Sequence, residues 1–190
     1  MYRSEQRPRR EHRVRPAGFS LTEMLILIVM LSILASLAIP RLDYNRFRVN
    51  ADARNVMMTL AYAQRLAVSL QHNVQVTFDA SYNQVRTLED ANDDGLFTSN
   101  ERVRGFQLTE GVVFSQNSVA DLPAPSPTNL LTQVSFWRDG SANTAGVVYL
   151  NTRKGIARGD NEDARALEIA RATGRTNWWT YTGGSWRKGN

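Results

Sequence analysis

The stretch GFSLTEMLILIVMLSILASLAIP, residues 18–40, decides the fold. No residue from Met24 to Ile39 is charged, and Phe19–Ile39 is 21 residues long. A helix of that length rises about 31 Å at 1.5 Å per residue, close to the ~30 Å hydrocarbon core of a bilayer. One acid, Glu23, stands near its start. A carboxylate in lipid costs on the order of a few kcal/mol, so we predict a spanning helix with a functional acid.

The segment before this helix carries most of the net charge. Residues 1–17 hold six Arg against Glu5 and Glu11, which accounts for four of the five net positive charges. The remainder holds 17 basic and 16 acidic residues, so the high pI is not a sign of a nucleic-acid-binding domain. Cysteine is absent, which excludes disulfides, thiolate zinc sites and a cysteine nucleophile.

The helical pattern continues beyond Pro40. An apolar stripe with steps of three and four is formed by Val49, Ala53, Val56, Met57, Leu60, Ala63, Ala67 and Leu70. Most polar residues nearby, including Asp52 and Gln64, are expected off this stripe. We predict one helix from about Leu21 to about Gln71, kinked at Pro40 because proline removes a backbone donor. Its first half is transmembrane and its second half is amphipathic.

After Asn73 the apolar period changes to two, which predicts strands. The predicted strands are Val74–Phe78, Gln84–Leu88, Arg102–Leu108, Val112–Ser115, Val134–Trp137, Val147–Asn151 and Trp178–Thr182. Arg165–Ala172 is ambiguous, and the preceding turn favours a strand. Residues 118–129, with three prolines, are expected to form an exposed loop. The predicted fold class is α+β, a long N-terminal helix packed on a mostly antiparallel β-sheet domain.

The N-terminal motif resembles the signal of type IV prepilins, a family that includes type II secretion pseudopilins. In that pattern a glycine precedes Phe or Met, and a glutamate stands fifth in the new chain before a hydrophobic helix. Gly18, Phe19 and Glu23 match it, and Pro40 matches the family's frequent kinking proline. The resemblance implies that a membrane prepilin peptidase cleaves after Gly18 and methylates the Phe19 amine. Glu23 of one subunit can then pair with that amine on a neighbour during assembly.

The implied organisation has four parts and a defined orientation. Residues 1–18 are a removed basic leader, 19–40 a transmembrane segment, 41–72 its amphipathic continuation and 73–190 a periplasmic β-rich domain. The Arg-rich leader keeps the N-terminus cytoplasmic, so the chain crosses a bacterial inner membrane once. Two alternatives remain. An ordinary signal peptide could be cut after Ser36-Leu37-Ala38, or an uncleaved anchor could keep Met1.

The wider layout, with the tail segment 172–175, resembles the H-type minor pseudopilins (GspH/FimT-like). This implies a structural subunit of a type II secretion pseudopilus that supports export of folded proteins and contacts other pseudopilins in a filament. The alternative is a FimT-like minor pilin of a type IV pilus, serving assembly, adhesion or DNA uptake. A third class, an anchored periplasmic binding protein, would need a concave apolar pocket.

One loop has calcium-ligand spacing, although no cofactor is required. Asp90, Asn92, Asp94, Leu96, Thr98 and Glu101, with Gly95, fit the EF-hand loop pattern. The flanking segments are predicted strands instead of helices, so a hairpin loop with Asx turns is the alternative.

Catalysis has little support in the sequence. Its two histidines are His12, in the leader, and His72, at a helix end, and no nucleophile or phosphate-loop motif occurs. We therefore predict no enzymatic activity. The C-terminal cations Arg171, Arg175, Arg187 and Lys188 alternate with aromatics, as in single-stranded nucleic-acid platforms. We favour packing of the last strand over DNA binding, because Gly174-Arg175 lacks the second Arg of the Gly-Arg-x-Arg tail motif through which some FimT-like pilins bind DNA.

Overall fold

The computed structural model describes residues 18–38, 44–98, 101–117 and 119–189. The chain forms two compact units, Met1–Leu42 and Asp43–Asn190. The first contains helix α1, Leu21–Ala38, and the second begins with helix α2, Tyr44–Leu70. The predicted start and end of the helical region agree with these bounds, and the predicted kink at Pro40 lies outside the described residues.

Helix α2 forms one wall of the core. Its buried residues are Val49, Asp52, Ala53, Val56, Leu60, Ala63 and Ala67. The predicted apolar stripe is confirmed over most of its length, with Met57 only partly buried and Leu70 exposed. The prediction was wrong for Asp52, which is buried. The helix ends where Gln71 adopts a positive φ of 58°.

Sheet A has four antiparallel strands in the order β3-β2-β1-β5. They are β1 (Val74–Asp79), β2 (Gln84–Glu89), β3 (Val103–Gln107) and β5 (Gln133–Phe136). Val74, Val76 and Phe78 point into the core while their neighbours in β1 are half-buried, as their alternation predicts. The outer strand β3 is mostly exposed.

Sheet B has five antiparallel strands in the order β4-β6-β7-β8-β9. They are β4 (Val112–Phe114), β6 (Gly146–Thr152), β7 (Arg165–Ile169), β8 (Thr176–Thr182) and β9 (Ser185–Lys188). Every residue of β6 is buried, because both faces of this sheet are covered. Val148 and Leu150 join the main core with α2, whereas Val147 and Tyr149 join a second cluster with Leu122 and Ala166.

The expectation that residues 118–129 form an exposed loop holds for most of the described part, 119–129, but not for two of its apolar side chains. Val119 and Leu122 are only 4% exposed. The Trp186 indole donates a hydrogen bond to the Ala120 carbonyl at 2.7 Å. Leu122 of this segment packs on the outer face of sheet B and shields Val147 and Tyr149 from water.

Two short elements were missing from the sequence prediction. Helix α3, Arg153–Arg158, is capped at its start by Thr152, whose hydroxyl accepts the Gly155 N–H, and at its end by Gly159 with a φ of 67°. Strand β9 pairs with β8 across the predicted turn at Gly183 and Gly184. The ambiguous stretch 165–172 forms strand β7, as we favoured, over Arg165–Ile169.

Candidate functional site

Helix α1 carries a single charge on an apolar surface. Ser20 directly precedes the helix and caps its first turn. Its carbonyl and hydroxyl oxygens accept the Glu23 N–H at 3.1 and 3.3 Å. Every side chain from Leu21 to Ser36 is exposed. Glu23 lies in the first turn and is the only charged residue of the helix. An exposed apolar surface this extensive is typical of a helix that a partner or lipid covers.

The predicted cleavage position lies just before this helix. Gly18 is exposed, and a Cβ placed on it would meet no atom within 4 Å. The Phe19 ring is 71% exposed. The peptide bond between them therefore lies in exposed chain, with two residues, Phe19 and Ser20, between it and the start of the helix. Among the described residues, no helix combines the length and the apolarity needed to cross a membrane.

The predicted calcium ligands lie together in the connection between β2 and β3. The Asp90 carboxylate accepts the N–H groups of Asp94 and Gly95 at 3.0 and 3.1 Å, and Asp94 accepts the Leu96 N–H at 2.7 Å. Glu101 returns to the loop and accepts the N–H groups of Ala91 and Thr98 at 3.0 and 2.9 Å. These bonds close the loop through Asx-type turns.

One further bond lies within the loop, and one ion pair joins the loop to a neighbouring segment. Asn92 donates a hydrogen bond to the Asp94 carboxylate at 2.7 Å. Asp93 forms an ion pair with Arg138 at 2.6 Å. Within the described parts of the chain, no three His, Cys, Asp or Glu side chains are grouped so that they could hold a metal. Calcium binding by this loop stays a prediction.

The C-terminal aromatics serve the two cores. Trp178 packs on the main core, whereas Trp179 and Trp186 pack on the second cluster. Trp179 also donates to the Glu168 carboxylate at 2.9 Å. These contacts support strand packing as the role of these rings.

The C-terminal cations are exposed and separated. Arg171 and Arg175 lie in the connection between β7 and β8, while Arg187 and Lys188 are neighbours in the outer strand β9. Successive residues of a strand point to opposite faces, so Arg187 and Lys188 do not share one. Lys188 stacks over the Trp179 ring at 5.6 Å. Nucleic-acid binding by this set stays an untested prediction.

The structure reveals a buried carboxylate that the sequence pattern did not identify. Asp52 of α2 is 2% exposed and accepts the Thr109 N–H at 2.7 Å and the Thr109 hydroxyl at 2.9 Å. These two bonds anchor the connection between β3 and β4 to α2. A buried carboxylate is stable only when hydrogen-bonded, so this contact fixes the position of one end of sheet A.

A second anchor of α2 lies nearer its C-terminus. The Gln64 amide donates to the carbonyls of Gly140 and Thr173, both at 2.7 Å. It thereby joins α2 to the connection after β5 and to the connection between β7 and β8. Gly174, with a φ of 61°, leaves room for both groups, because a Cβ there would clash with the Gly140 carbonyl oxygen and would lie 2.6 Å from the Gln64 nitrogen.

Two surface carboxylates titrate below their ordinary range. The backbone N–H of Tyr82 lowers the pKa of Asp79, helped by the Ser81 N–H and the Arg86 guanidinium. The Ser141 hydroxyl and N–H lower the pKa of Asp139. Both acids stabilise turns by accepting local hydrogen bonds, which favours the charged form.

The fold and the N-terminal helix together define the class of protein. An exposed apolar helix with an acid in its first turn, followed by an amphipathic helix packed on antiparallel sheets, is the architecture of a pilin-like subunit. A family model described as type II transport protein GspH matches residues 52–174, which is more than half of the chain. The chain belongs to the GspH family.

Two solved structures from Vibrio cholerae are similar to this chain. The minor pseudopilin EpsH of the Vibrio cholerae type II secretion system is similar over 70% of this chain and 97% of its own, with 15% identity and a TM-score of 0.48. A second structure of EpsH from Vibrio cholerae covers 70% of this chain and 96% of its own, with 14% identity and a TM-score of 0.48. The search of curated proteins gave no match.

Proposed function

We propose that this GspH-family chain is a minor pseudopilin, a structural subunit of a type II secretion pseudopilus that supports export of folded proteins. The observation that carries the proposal is Glu23, the only charge on a helix whose described side chains are exposed. Such a surface has no use in an isolated soluble protein. In a filament it is covered by neighbouring helices, and before assembly by lipid.

The proposal includes processing by a prepilin peptidase. Cleavage between Gly18 and Phe19 removes the Arg-rich leader and exposes an α-amine, which is cationic near neutral pH. Methylation of that amine leaves its charge in place. A Phe19 amine about 4 Å from a neighbour's Glu23 gains roughly 4 kcal/mol at an effective dielectric of about 20, before desolvation is subtracted. The pair therefore sets the register of assembly, because an unpaired carboxylate in lipid is the costly alternative.

The proposed anchor is Phe19–Ile39, with its N-terminus toward the cytoplasm and the domain from Asp43 in the periplasm. The leader's six arginines and the apolar length support this orientation. The proposed partners are the prepilin peptidase, other pseudopilins and the inner membrane.

Mass spectrometry of the chain purified from membranes tests the processing step. We expect a mature N-terminus at methylated Phe19, and Gly18→Asp should block the cut. A terminus at Ile39 would indicate an ordinary signal peptide, and one at Met1 an uncleaved anchor. Either result would remove the basis for the filament subunit.

Glu23 is tested by three variants of the full chain. Glu23→Ala and Glu23→Gln should both be processed but should lower crosslinking to other pseudopilins, and export of a secreted enzyme, by about tenfold. Ser32→Ala is the matched control, because Ser32 is an exposed polar residue of the same helix and bonds only the Ile28 carbonyl. Wild-type assembly and export by Glu23→Ala would contradict the proposed pairing.

A further inference from the structure

The side chain of Ser20 fixes where helix α1 begins. Its hydroxyl accepts the Glu23 N–H at 3.3 Å, and its carbonyl accepts the Met24 N–H at 3.1 Å as the first bond of the helix. Serine is among the residues preferred at the N-cap, the position directly before the first helical residue. The helix therefore begins at Leu21, and the residues before Ser20 stay outside it.

The sequence around Ser20 has a second capping feature. Ser20 and Glu23 have the spacing of a capping box, Ser-x-x-Glu, which marks a helix start before an apolar run. Phe19 and Met24 occupy the two positions of a hydrophobic staple, one directly before the cap and one at the fourth helical residue. The sequence pattern and the hydrogen bond to Ser20 thus place the helix start at the same residue.

This helix start determines the conformation of the proposed cleavage site. The bond between Gly18 and Phe19 lies in exposed chain outside the helix. Exposed irregular chain is where proteolysis concentrates, whereas in a helix the carbonyl groups are engaged in hydrogen bonds and successive turns lie close together. The cut adds water across this bond and leaves the Gly18 carboxylate and the Phe19 amine. A helix that extended through Phe19 would therefore hinder the cut.

Without the serine cap, the helix has an alternative start two residues earlier. Phe19 has no side-chain acceptor for a backbone N–H, whereas glycine is accepted at an N-cap about as well as threonine. An alanine in place of Ser20 would also favour a helical conformation there. A helix capped by Gly18 would contain Phe19 as its first residue, and the Gly18 carbonyl would accept the Thr22 N–H. The bond to be cut would then be the first peptide of the helix.

We propose that Ser20 is a positioning residue for cleavage by the prepilin peptidase. Its cap stops the helix before Phe19 and so presents the bond after Gly18 in non-helical chain. Ser20 acts through the helix start and does not contact the reacting atoms. This inference rests on the proposed processing after Gly18.

The test measures cleavage of the full-length precursor by a prepilin peptidase in detergent micelles, with mass spectrometry following loss of the leader. Ser20→Ala should lower kcat/KM about fivefold, the ratio that corresponds to loss of an average N-cap. The loss should appear in KM with kcat unchanged, because only the fraction of precursor with a non-helical site binds productively. Ser20→Asn, which keeps a preferred cap residue, should stay within about twofold of the wild type.

Ser32→Ala is the matched control. It makes the same substitution in the same helix, at a serine whose hydroxyl donates to the Ile28 carbonyl and caps no N-terminus. Its kcat/KM should equal that of the wild type. The ¹³Cα chemical shift of Phe19 in the uncut precursor reports the conformation of the site, and its signal is assigned by its loss in Phe19→Met. This shift should move toward helical values in Ser20→Ala alone.

The outcomes separate this inference from a direct contact between Ser20 and the peptidase. Slow cleavage of Ser20→Ala with an unchanged Phe19 shift would indicate such a contact and overturn the proposal. Slow cleavage of Ser20→Asn would do the same, as would a wild-type KM for Ser20→Ala. A wild-type precursor that is not cut after Gly18 refutes the proposed processing and this inference together. Normal cutting of the wild type with equal rates for every variant refutes the inference alone.

Discussion

Replacing Gly174 by alanine tests the junction that ties α2 to both sheets. Gly174 is buried and has a φ of 61°, while Gly183 has almost the same φ of 60° and is exposed. A Cβ on Gly183 would meet nothing within 4 Å. Both substitutions therefore place an alanine in the left-handed conformation and reduce the conformational entropy of the unfolded chain. They differ in whether the added Cβ meets neighbouring atoms in the folded state.

The expected magnitudes follow from the contacts. Gly183→Ala should lower the free energy of unfolding by about 1 kcal/mol, the cost of the left-handed conformation. Gly174→Ala adds a Cβ that would lie closest to the Gly140 carbonyl oxygen and 2.6 Å from the Gln64 nitrogen, so both the backbone at Gly140 and the amide must move. The displaced amide would lose its bonds to the carbonyls of Gly140 and Thr173, each worth about 1 kcal/mol. We expect a total loss of about 3 kcal/mol for Gly174→Ala.

Urea unfolding followed by tryptophan emission measures both values, since all four tryptophans lie in the second compact unit. A difference between the two variants below about 0.5 kcal/mol would refute the crowding argument, because additive sites usually agree within that margin. Gln64→Ala completes the comparison. In the Gln64→Ala variant, Gly174→Ala should lower the free energy of unfolding by less than it does in the wild type. The expected coupling energy between the two substitutions is about 1–2 kcal/mol.

Three further predictions concern carboxylates. Asp52→Ala should lower the free energy of unfolding, measured in urea, by about 3 kcal/mol because two hydrogen bonds to Thr109 are lost. Asp52→Asn should lower it by clearly less, because the amide can still hydrogen-bond to Thr109. The pKa of Asp79 is lowered from 3.8 in the folded state, so its contribution is present above that value and disappears as pH falls through the folded pKa. In Asp79→Ala the free energy of unfolding should therefore fall less steeply with decreasing pH below about pH 4 than in the wild type. The same pH dependence in both proteins would contradict this. If the loop binds calcium, isothermal calorimetry should show heat with Ca²⁺ that Glu101→Gln removes, and no heat at millimolar calcium rejects the site.

Local periodicity allowed most of the fold to be predicted. The alternation in Val74–Phe78 and the apolar stripe along α2 both indicate which face of the element packs on the core. They do so because backbone geometry alone sets a side-chain period of 2 in strands and 3.6 in helices. The α+β class and the resemblance to GspH-type proteins of type II secretion are confirmed by the architecture and by the family match. Helix α3 was missed because its six residues carry no repeat, although Thr152 and Gly159 mark its ends.

Contacts between distant parts of the chain were not accessible to the same reasoning. Asp52 looked like a surface residue, since nothing nearby shows that Thr109, 57 residues later, supplies its hydrogen bonds. The loop predicted at residues 118–129 is exposed over most of its described part, but its proline content gave no indication that Leu122 packs on sheet B.

The amino-acid sequence by itself determined the apolar helix with Glu23, the amphipathic helix behind it and the strand-rich domain, because each depends on neighbours a few residues apart. Only the tertiary structure decided that Asp52 and Gln64 hold the connections of the two sheets to α2. Such contacts join residues that are tens of positions apart in the sequence. The residues next to either partner give no indication of which residue it will contact.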